Sequence, residues 1–186
     1  MKFLEVDVPE LEKKLLDIGA TKVGEFDYSR MIFHYPDSNM HKRGGWIRLR
    51  TDGKESTLTY KESIKEKLDD GSMKNIGMKE IEVKVDDYEK TYELIKAIGL
   101  VKQVEEKNKR IRYIKGDVVF DIDFWPFIPT YLEIESSSHE KAKEFAKKLG
   151  FEPQEGIIGS AGSIYKKYGI NIDDYSSITF EGMVKN

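Results

Sequence analysis

Cysteine is absent from this 186-residue chain. That excludes disulfides and cysteine-ligated zinc, and it fits a cytoplasmic location. Histidine is scarce: His34, His41 and His139 stand apart, each reading as a surface or core residue, so a histidine-based metal site has little support. No apolar run approaches the ~20 residues of a membrane span, and the N-terminus lacks the core of a signal peptide. Neither G-x-x-x-x-G-K-[ST] nor G-x-G-x-x-G occurs, which excludes the common phosphate-binding loops. Charge of one sign is lacking too. The net charge is only -3 although 35% of residues are charged, well above the roughly 25% of an average domain. A nucleic-acid or membrane binder needs a basic excess, so neither partner is expected.

What is present is alternation. The stretch F-D-I-D-F-W-P-F-I-P-T-Y-L-E-I-E, residues 120–135, reads as two strands around a proline-bounded turn. Side chains alternate between the faces of a strand. Asp121 and Asp123 therefore share one face of the first strand, with Phe120, Ile122 and Phe124 on the other. Glu133 and Glu135 share a face of the second, opposite Leu132 and Ile134. Four carboxylates this close repel unless a divalent cation or neighbouring Lys and Arg sit among them.

Other segments repeat the pattern. W-I-R-L-R puts Arg48 and Arg50 on one face, and T-L-T-Y-K puts Thr57, Thr59 and Lys61 on one, with Asp52-Gly53 as the hairpin turn between them. E-I-E-V-K-V aligns Glu80, Glu82 and Lys84, and K-R-I-R-Y aligns Arg110 and Arg112, with Gly116-Asp117 turning the chain onward. Pro36 to Asn39 is a turn signal, residues 62–77 read as an aperiodic mobile loop, and residues after Gly169 as partly loose. Three amphipathic helices are expected: Pro9–Ile18 capped by Asp7, one ending near Ile98 capped by Asp86 or Asp87, and one opened by a Ser137–Glu140 capping box.

L-E-V-D-V, I-E-V-K-V and L-E-I-E each precede one of these helices, and Glu82–Gly99 and Glu133–Gly150 share a spacing of seventeen residues. Such recurrence suits a parallel α/β sheet, but the hairpin turns favour antiparallel pairing. The expected fold is α+β: a closed antiparallel barrel of eight or so strands, helices packed outside on the apolar faces, polar faces inward around one small ligand. Arginines and lysines on fixed strands suit a polyanion, since guanidinium bonds phosphate oxygens bidentately. Carboxylates in the same cavity would repel phosphates unless Mg²⁺ or Mn²⁺ lay between. Cation, carboxylates and basic clamp together suit phosphoryl or nucleotidyl transfer. Trp125, Phe127 and Tyr131 either stack a purine or pack the rim.

The order R-L-R, L-T-Y-K, E-I-E-V, K-R-I-R-Y and D-F-W-P-F-I-P-T-Y-L-E-I-E resembles the CYTH superfamily, the triphosphate tunnel metalloenzymes, over nearly the whole chain. With S-A-G-S-I-Y-K-K-Y-G it is most similar to the class IV adenylyl cyclase-like branch. The resemblance implies an eight-stranded antiparallel tunnel in which residues 1–170 form a single domain and 171–186 a tail. It implies triphosphate ligands at Lys2, Arg48, Arg50, Lys61, Lys109, Arg110 and Arg112, and metal ligands at Glu133, Glu135, Glu80 and Glu82. Asp123, with Arg110, falls on the catalytic positions. The implied activity is conversion of ATP to cyclic AMP and pyrophosphate. The alternatives are hydrolysis of tripolyphosphate, nucleoside or thiamine triphosphate, or binding without turnover. Mg or Mn is the implied cofactor, a small-molecule triphosphate the partner, and a homodimer is open. In the family signature E-x-E-x-K, Lys2 takes the place of the lysine and both glutamates would precede Met1. The expectation is then either a late start or the loss of part of the metal site.

Overall fold

A computed structural model describes residues 1–37 and 39–186. Ser38, within the turn read at 36–39, lies outside the described residues. The described chain has an α+β fold of a large antiparallel sheet and five helices, and it divides into two compact units. Unit 1 comprises Met1–Asp27, Lys107–Asp174 and Thr179–Gly182; unit 2 comprises Tyr28–Glu106, Tyr175–Ile178 and Met183–Asn186. Strands β2 (Thr21–His34) and β6 (Val101–Lys115) each contribute to both.

Unit 1 is built on β7 (Val118–Phe124) and β8 (Tyr131–Glu135), antiparallel with Asp121 opposite Glu133 and Ile122 opposite Leu132. Strand β1 (Lys2–Leu4) pairs with β8, and the 109–115 stretch of β6 pairs with β7. Two helices cover the apolar face. Asp7 caps α1 (Val8–Asp17) by accepting from Glu10 N at 2.9 Å, and Pro9 sits in the first turn, where its missing N–H costs nothing. Ser138, rather than Ser137, caps α4 (His139–Lys148), because the Ser137 hydroxyl is turned to the Asp117 carboxylate. Leu11 and Leu15 of α1 and Ala142, Phe145 and Ala146 of α4 bury against Phe120, Ile122, Leu132 and Ile134 in one core. The polar face of the same strands is thereby left to its charges.

In unit 2, β3 (Gly45–Thr51), β4 (Ser56–Lys67) and β5 (Met73–Val85) pair antiparallel, and β3 also pairs with the second half of β2. The β3–β4 turn has Gly53 at φ +84°, a conformation that glycine takes without strain. Asp52 accepts from the backbone of Lys54 and Glu55 at 2.9 and 2.8 Å, which closes it. On one face Phe33, Leu49 and the half-buried Ile47, Leu58 and Tyr60 pack under α3 (Tyr88–Ala97) through Ile95. Asp87 is its cap. Ile98, near which the helix is expected to end, is its C-cap and is 60% exposed.

Three segments depart from the sequence reading. Residues 62–77, expected as a loop, continue β4 and β5 as one long hairpin that turns at Asp69–Ser72. Gly71 at φ +83° and the Asp70 carboxylate, accepting from Ser72 N at 2.9 Å, make that turn; the strands themselves are polar and show no alternation to read. A short helix, α2 (Asn39–Lys42), buries Met40. The tail folds into β9 (Tyr175–Thr179) and β10 (Gly182–Lys185), with Ser177 and Ile178 parallel to Glu105 and Glu106. Hydrogen bonds among the described residues do not close the strands into a ring, so of the expected barrel the antiparallel sheet and its helix cover are what is seen. No helix among the described residues is long and apolar enough to cross a membrane.

Candidate functional site

Strand register decides which charges meet. In unit 1, Lys2 lies opposite Glu133, Glu133 opposite Asp121, and Asp121 opposite Arg112, one row across four strands on the face away from the core. The next row places Arg110 opposite Asp123. Arg110 donates from Nε and Nη2 to the two Asp123 oxygens, both at 2.7 Å, and its Nη1 lies 2.5 Å from Asp121 Oδ2. Arg112 forms the same two-bond fork with Asp121. Lys2 pairs with Glu133 and donates to Gly159 O at 2.7 Å. Asn108, fully buried, lies 3.4 Å from Asp123.

Burial pushes the Asp123 carboxyl up despite Arg110, with Glu133 and Asp121 adding to the rise. Burial would raise Glu133 as well, but Lys2 and then Arg110 outweigh it and hold that carboxyl below its ordinary value. Glu135 is raised by desolvation and by its acidic neighbours Glu133 and Asp121. Burial alone would lower the Arg110 guanidinium; Asp123, Asp121 and Glu133 together hold it above its usual value.

Unit 2 presents a second charged face. Register puts Arg30 opposite Arg50, Arg50 opposite Thr57, Arg48 opposite Thr59, and Thr59 opposite Glu82, with Lys61 opposite Glu80. Arg48 is 8% exposed. It donates from Nη2 to Glu82 at 3.2 Å and to Thr59 at 3.3 Å, and the Thr59 hydroxyl donates to Glu82 at 2.7 Å. Lys61 reaches Glu80 at 3.0 Å, and the Arg50 guanidinium lies 4.6 Å above the Tyr28 ring. Burial, with Arg50 and Arg30 nearby, pushes Arg48 down to about 10, so it stays charged at neutral pH. Burial raises Glu106. Desolvation opposes ionisation of Glu82, but Thr59 and the two arginines overcome it and lower that carboxyl. Two polar atoms of this face, Arg48 Nε and Thr57 Oγ1, are buried without a hydrogen-bond partner.

The structure thus gathers Lys2, Arg110, Arg112, Asp123 and Glu133 on one face of unit 1, and Arg48, Arg50, Lys61, Glu80 and Glu82 on one face of unit 2. Lys109 is not brought to the unit 1 row: it is one residue out of phase, exposed, 3.9 Å from Asp27 and over the Phe180 ring. Glu80 and Glu82 are matched with Lys61 and Arg48 rather than grouped with other acids. Residues not singled out as site residues are Asp121, Asn108, Thr59, Arg30 and Glu106. Asp121 and Thr59 lie within the alternating segments of the sequence, whereas Asn108 and Glu106 share the parity of Arg110 only because β6 extends back to Val101. Trp125 is 5% and Tyr131 1% exposed, so both are buried, Tyr131 opposite Asp123; Trp125 meets the Tyr165 ring edge-on, and Phe127 is 55% exposed.

No group of three or more His, Asp or Glu among the described residues is arranged to hold a metal ion. Mg²⁺, however, is commonly held by one or two carboxylates plus substrate phosphates. Glu133 and Glu135 share a face of β8 and are all-oxygen donors. That donor set fits a hard divalent ion.

The CYTH domain family matches residues 1–161. A protein from Pyrococcus horikoshii OT3 is similar at 25% identity, covering 83% of this chain and 90% of its own, with a TM-score of 0.65. A candidate adenylate cyclase from Vibrio parahaemolyticus is similar in fold at 11% identity, covering 89% and 95%, TM-score 0.72. So is a candidate adenylyl cyclase from Hippeastrum with a dominant triphosphatase activity, at 13% identity, covering 91% and 95%, TM-score 0.62. Comparison with curated proteins finds no match.

Proposed function

Because this chain belongs to the CYTH domain family, whose members are generally metal-dependent and bind triphosphates, we propose that it is a Mg²⁺- or Mn²⁺-dependent triphosphatase acting on a small-molecule triphosphate. The observation that carries the polyanion reading is the pair of desolvated groups on unit 2, Arg48 Nε and Thr57 Oγ1, left without partners beside Arg50 and Lys61. Buried polar atoms are nearly always satisfied, and phosphate oxygens would satisfy these two. Arg48, Arg50 and Lys61 are the phosphate grip of this proposal.

Unit 1, taken by itself, has Glu133 and Glu135 as the residues that would hold a divalent ion, a source of fixed positive charge. Asp123 would accept a proton from the attacking water. Arg110 fixes the Asp123 carboxylate through its two-bond fork.

Hydrolysis is preferred to cyclisation because two of the three aromatics that could stack a base, Trp125 and Tyr131, are buried. The exposed Phe127 favours adenylyl cyclase as the second reading. The test incubates the protein with tripolyphosphate or ATP and Mg²⁺ or Mn²⁺, and measures phosphate, pyrophosphate and cyclic AMP separately. Phosphate release supports the proposal; cyclic AMP with pyrophosphate selects the second reading; no product under either ion rejects both.

A further inference from the structure

We propose that Asp121 is a positioning residue that couples Arg110 to Arg112 and sets both for the triphosphate reaction, an inference that rests on the reading above. Asp121 is 0% exposed at the middle of β7. Its Oδ1 accepts from Arg112 Nε at 2.7 Å; its Oδ2 accepts from Arg112 Nη2 at 2.7 Å and lies 2.5 Å from Arg110 Nη1. One carboxylate therefore ties two guanidiniums that stand two residues apart on one strand face.

The arrangement gives Arg110 something that Asp123 alone does not. Asp123 holds the Nε–Nη2 edge of the guanidinium, and a single fork leaves the plane free to swing about that edge. Asp121 holds the Nη1 corner. With both, the planar group is fixed from two directions, and its Nη2 is brought to 3.6 Å from Glu133 Oε2. Asp121 and Glu133 are register partners and would repel; Arg110 is the cation that lies against both. Loss of the Asp121 charge therefore releases Arg110 and Arg112 at once, and it changes the field at Glu133. Small displacements of positioned groups cost large factors in rate.

The test has two arms. In the ligand-free protein, the Nε–H resonances of the arginines are followed by heteronuclear NMR. Asp121→Asn is expected to shift those of both Arg110 and Arg112 and to speed their exchange with water at least tenfold. Asp123→Asn is expected to move Arg110 alone. If Asp121→Asn disturbs only Arg112, the coupling is absent and the inference falls. Should that variant not fold, Asp121→Glu, which keeps the charge on a longer arm, is read in the same way: both resonances move, or the inference fails. In the second arm, tripolyphosphate turnover with Mg²⁺ is measured. Asp121→Asn is expected to lower kcat tenfold or more without raising KM, because a negative charge has been taken from near a polyanion, and Asp121→Glu to recover part of the loss. Phe120→Leu serves as the structural control on the same strand. A fall in kcat no larger than that control shows at equal loss of thermal stability overturns the role. If the wild-type protein turns over no triphosphate, the proposed function fails and the resonance arm alone decides Asp121.

Discussion

Arg110 and Asp123 meet side by side across β6 and β7, Nε on Oδ1 and Nη2 on Oδ2, both at 2.7 Å. Asp123 is wholly buried and the Arg110 side chain 12% exposed, so the pair is shielded from salt. Removing one partner leaves an uncompensated buried charge, at a cost of about 3–5 kcal/mol. Asp123→Ala should therefore lower the urea midpoint strongly. The double variant Arg110→Met/Asp123→Leu should recover much of that loss, since apolar residues of similar volume often replace a buried pair without penalty. A double variant as unstable as Asp123→Ala would show that Arg110 is needed for its other contacts, with Asp121 and Glu133.

Glu133 and Glu135 stand two residues apart on one strand face yet should respond to pH in opposite senses. The Glu133 carboxyl is held below its ordinary value, after burial is offset, by Lys2 and Arg110. Its contribution to stability is present above the unfolded pKa of about 4.3 and is lost as pH falls through the lower folded value. The Glu135 carboxyl is raised, so its contribution is present below that unfolded pKa and is lost as pH rises through the higher folded value. Glu133→Gln should thus reduce stability at pH 7 and approach the wild type in acid. Glu135→Gln should increase stability at pH 7 while weakening Mg²⁺ or Mn²⁺ binding, the trade expected where charge is crowded for a ligand. Urea midpoints between pH 2.5 and 8, with and without the ion, check both; a Glu135→Gln protein that is less stable at neutral pH would contradict the assignment.

Much of this was legible from alternation alone. Phe120–Phe124 and Tyr131–Glu135 have one apolar and one acidic face in sequence and in structure, and Asp52-Gly53 and Gly116-Asp117 make hairpins. What alternation cannot give is register across strands distant in sequence. Nothing in K-R-I-R-Y says that Arg112 faces Asp121 and Arg110 faces Asp123, so Asp121 was seen as acidic yet not as a hub. Lys109 is implied as a ligand by the resemblance, although period-two geometry puts it on the face opposite Arg110. The hairpin at 62–77 gives no periodic signal, because the few apolar residues of its strands, Ile64, Met73 and Ile76, are exposed rather than gathered on a buried face.

Arg48 is buried, yet two of its contacts are weak in geometry: Glu82 at 3.2 Å and Glu80 at 3.7 Å. Its Nε has no partner. If phosphate oxygens fill that place, Arg48→Ala should weaken tripolyphosphate binding by one to two orders of magnitude, the ~1.5–3 kcal/mol of a charge-assisted bond. Arg48→Lys should restore little, because an ammonium lacks the planar fork. Calorimetric titration at two salt concentrations checks this; affinity within twofold of the wild type in Arg48→Ala would remove Arg48 from the phosphate grip.

Thr59 is the hinge between the basic and acidic members of that face. It is 0% exposed, its hydroxyl donates to Glu82 at 2.7 Å, and it accepts from Arg48 at 3.3 Å. Thr59→Val keeps the shape and β-branching, so the strand should form as before. It leaves the buried Arg48 short of an acceptor, and an unsatisfied buried group costs about 1–3 kcal/mol, while Glu82, 38% exposed, can turn to water. The Thr59 bond is also the largest influence holding Glu82 down against desolvation. Its loss should raise the Glu82 pKa, weaken the Arg48–Glu82 pairing as pH falls, and let the Arg48 side chain shift. The expected result is a modest loss of stability with a larger loss of tripolyphosphate affinity, and a pH dependence of binding that moves upward. Thr59→Ser, which restores the hydroxyl, should recover the affinity. If Thr59→Val binds tripolyphosphate as the wild type does at every pH, Arg48 is placed by the strand alone and the hydroxyl has no part in setting it.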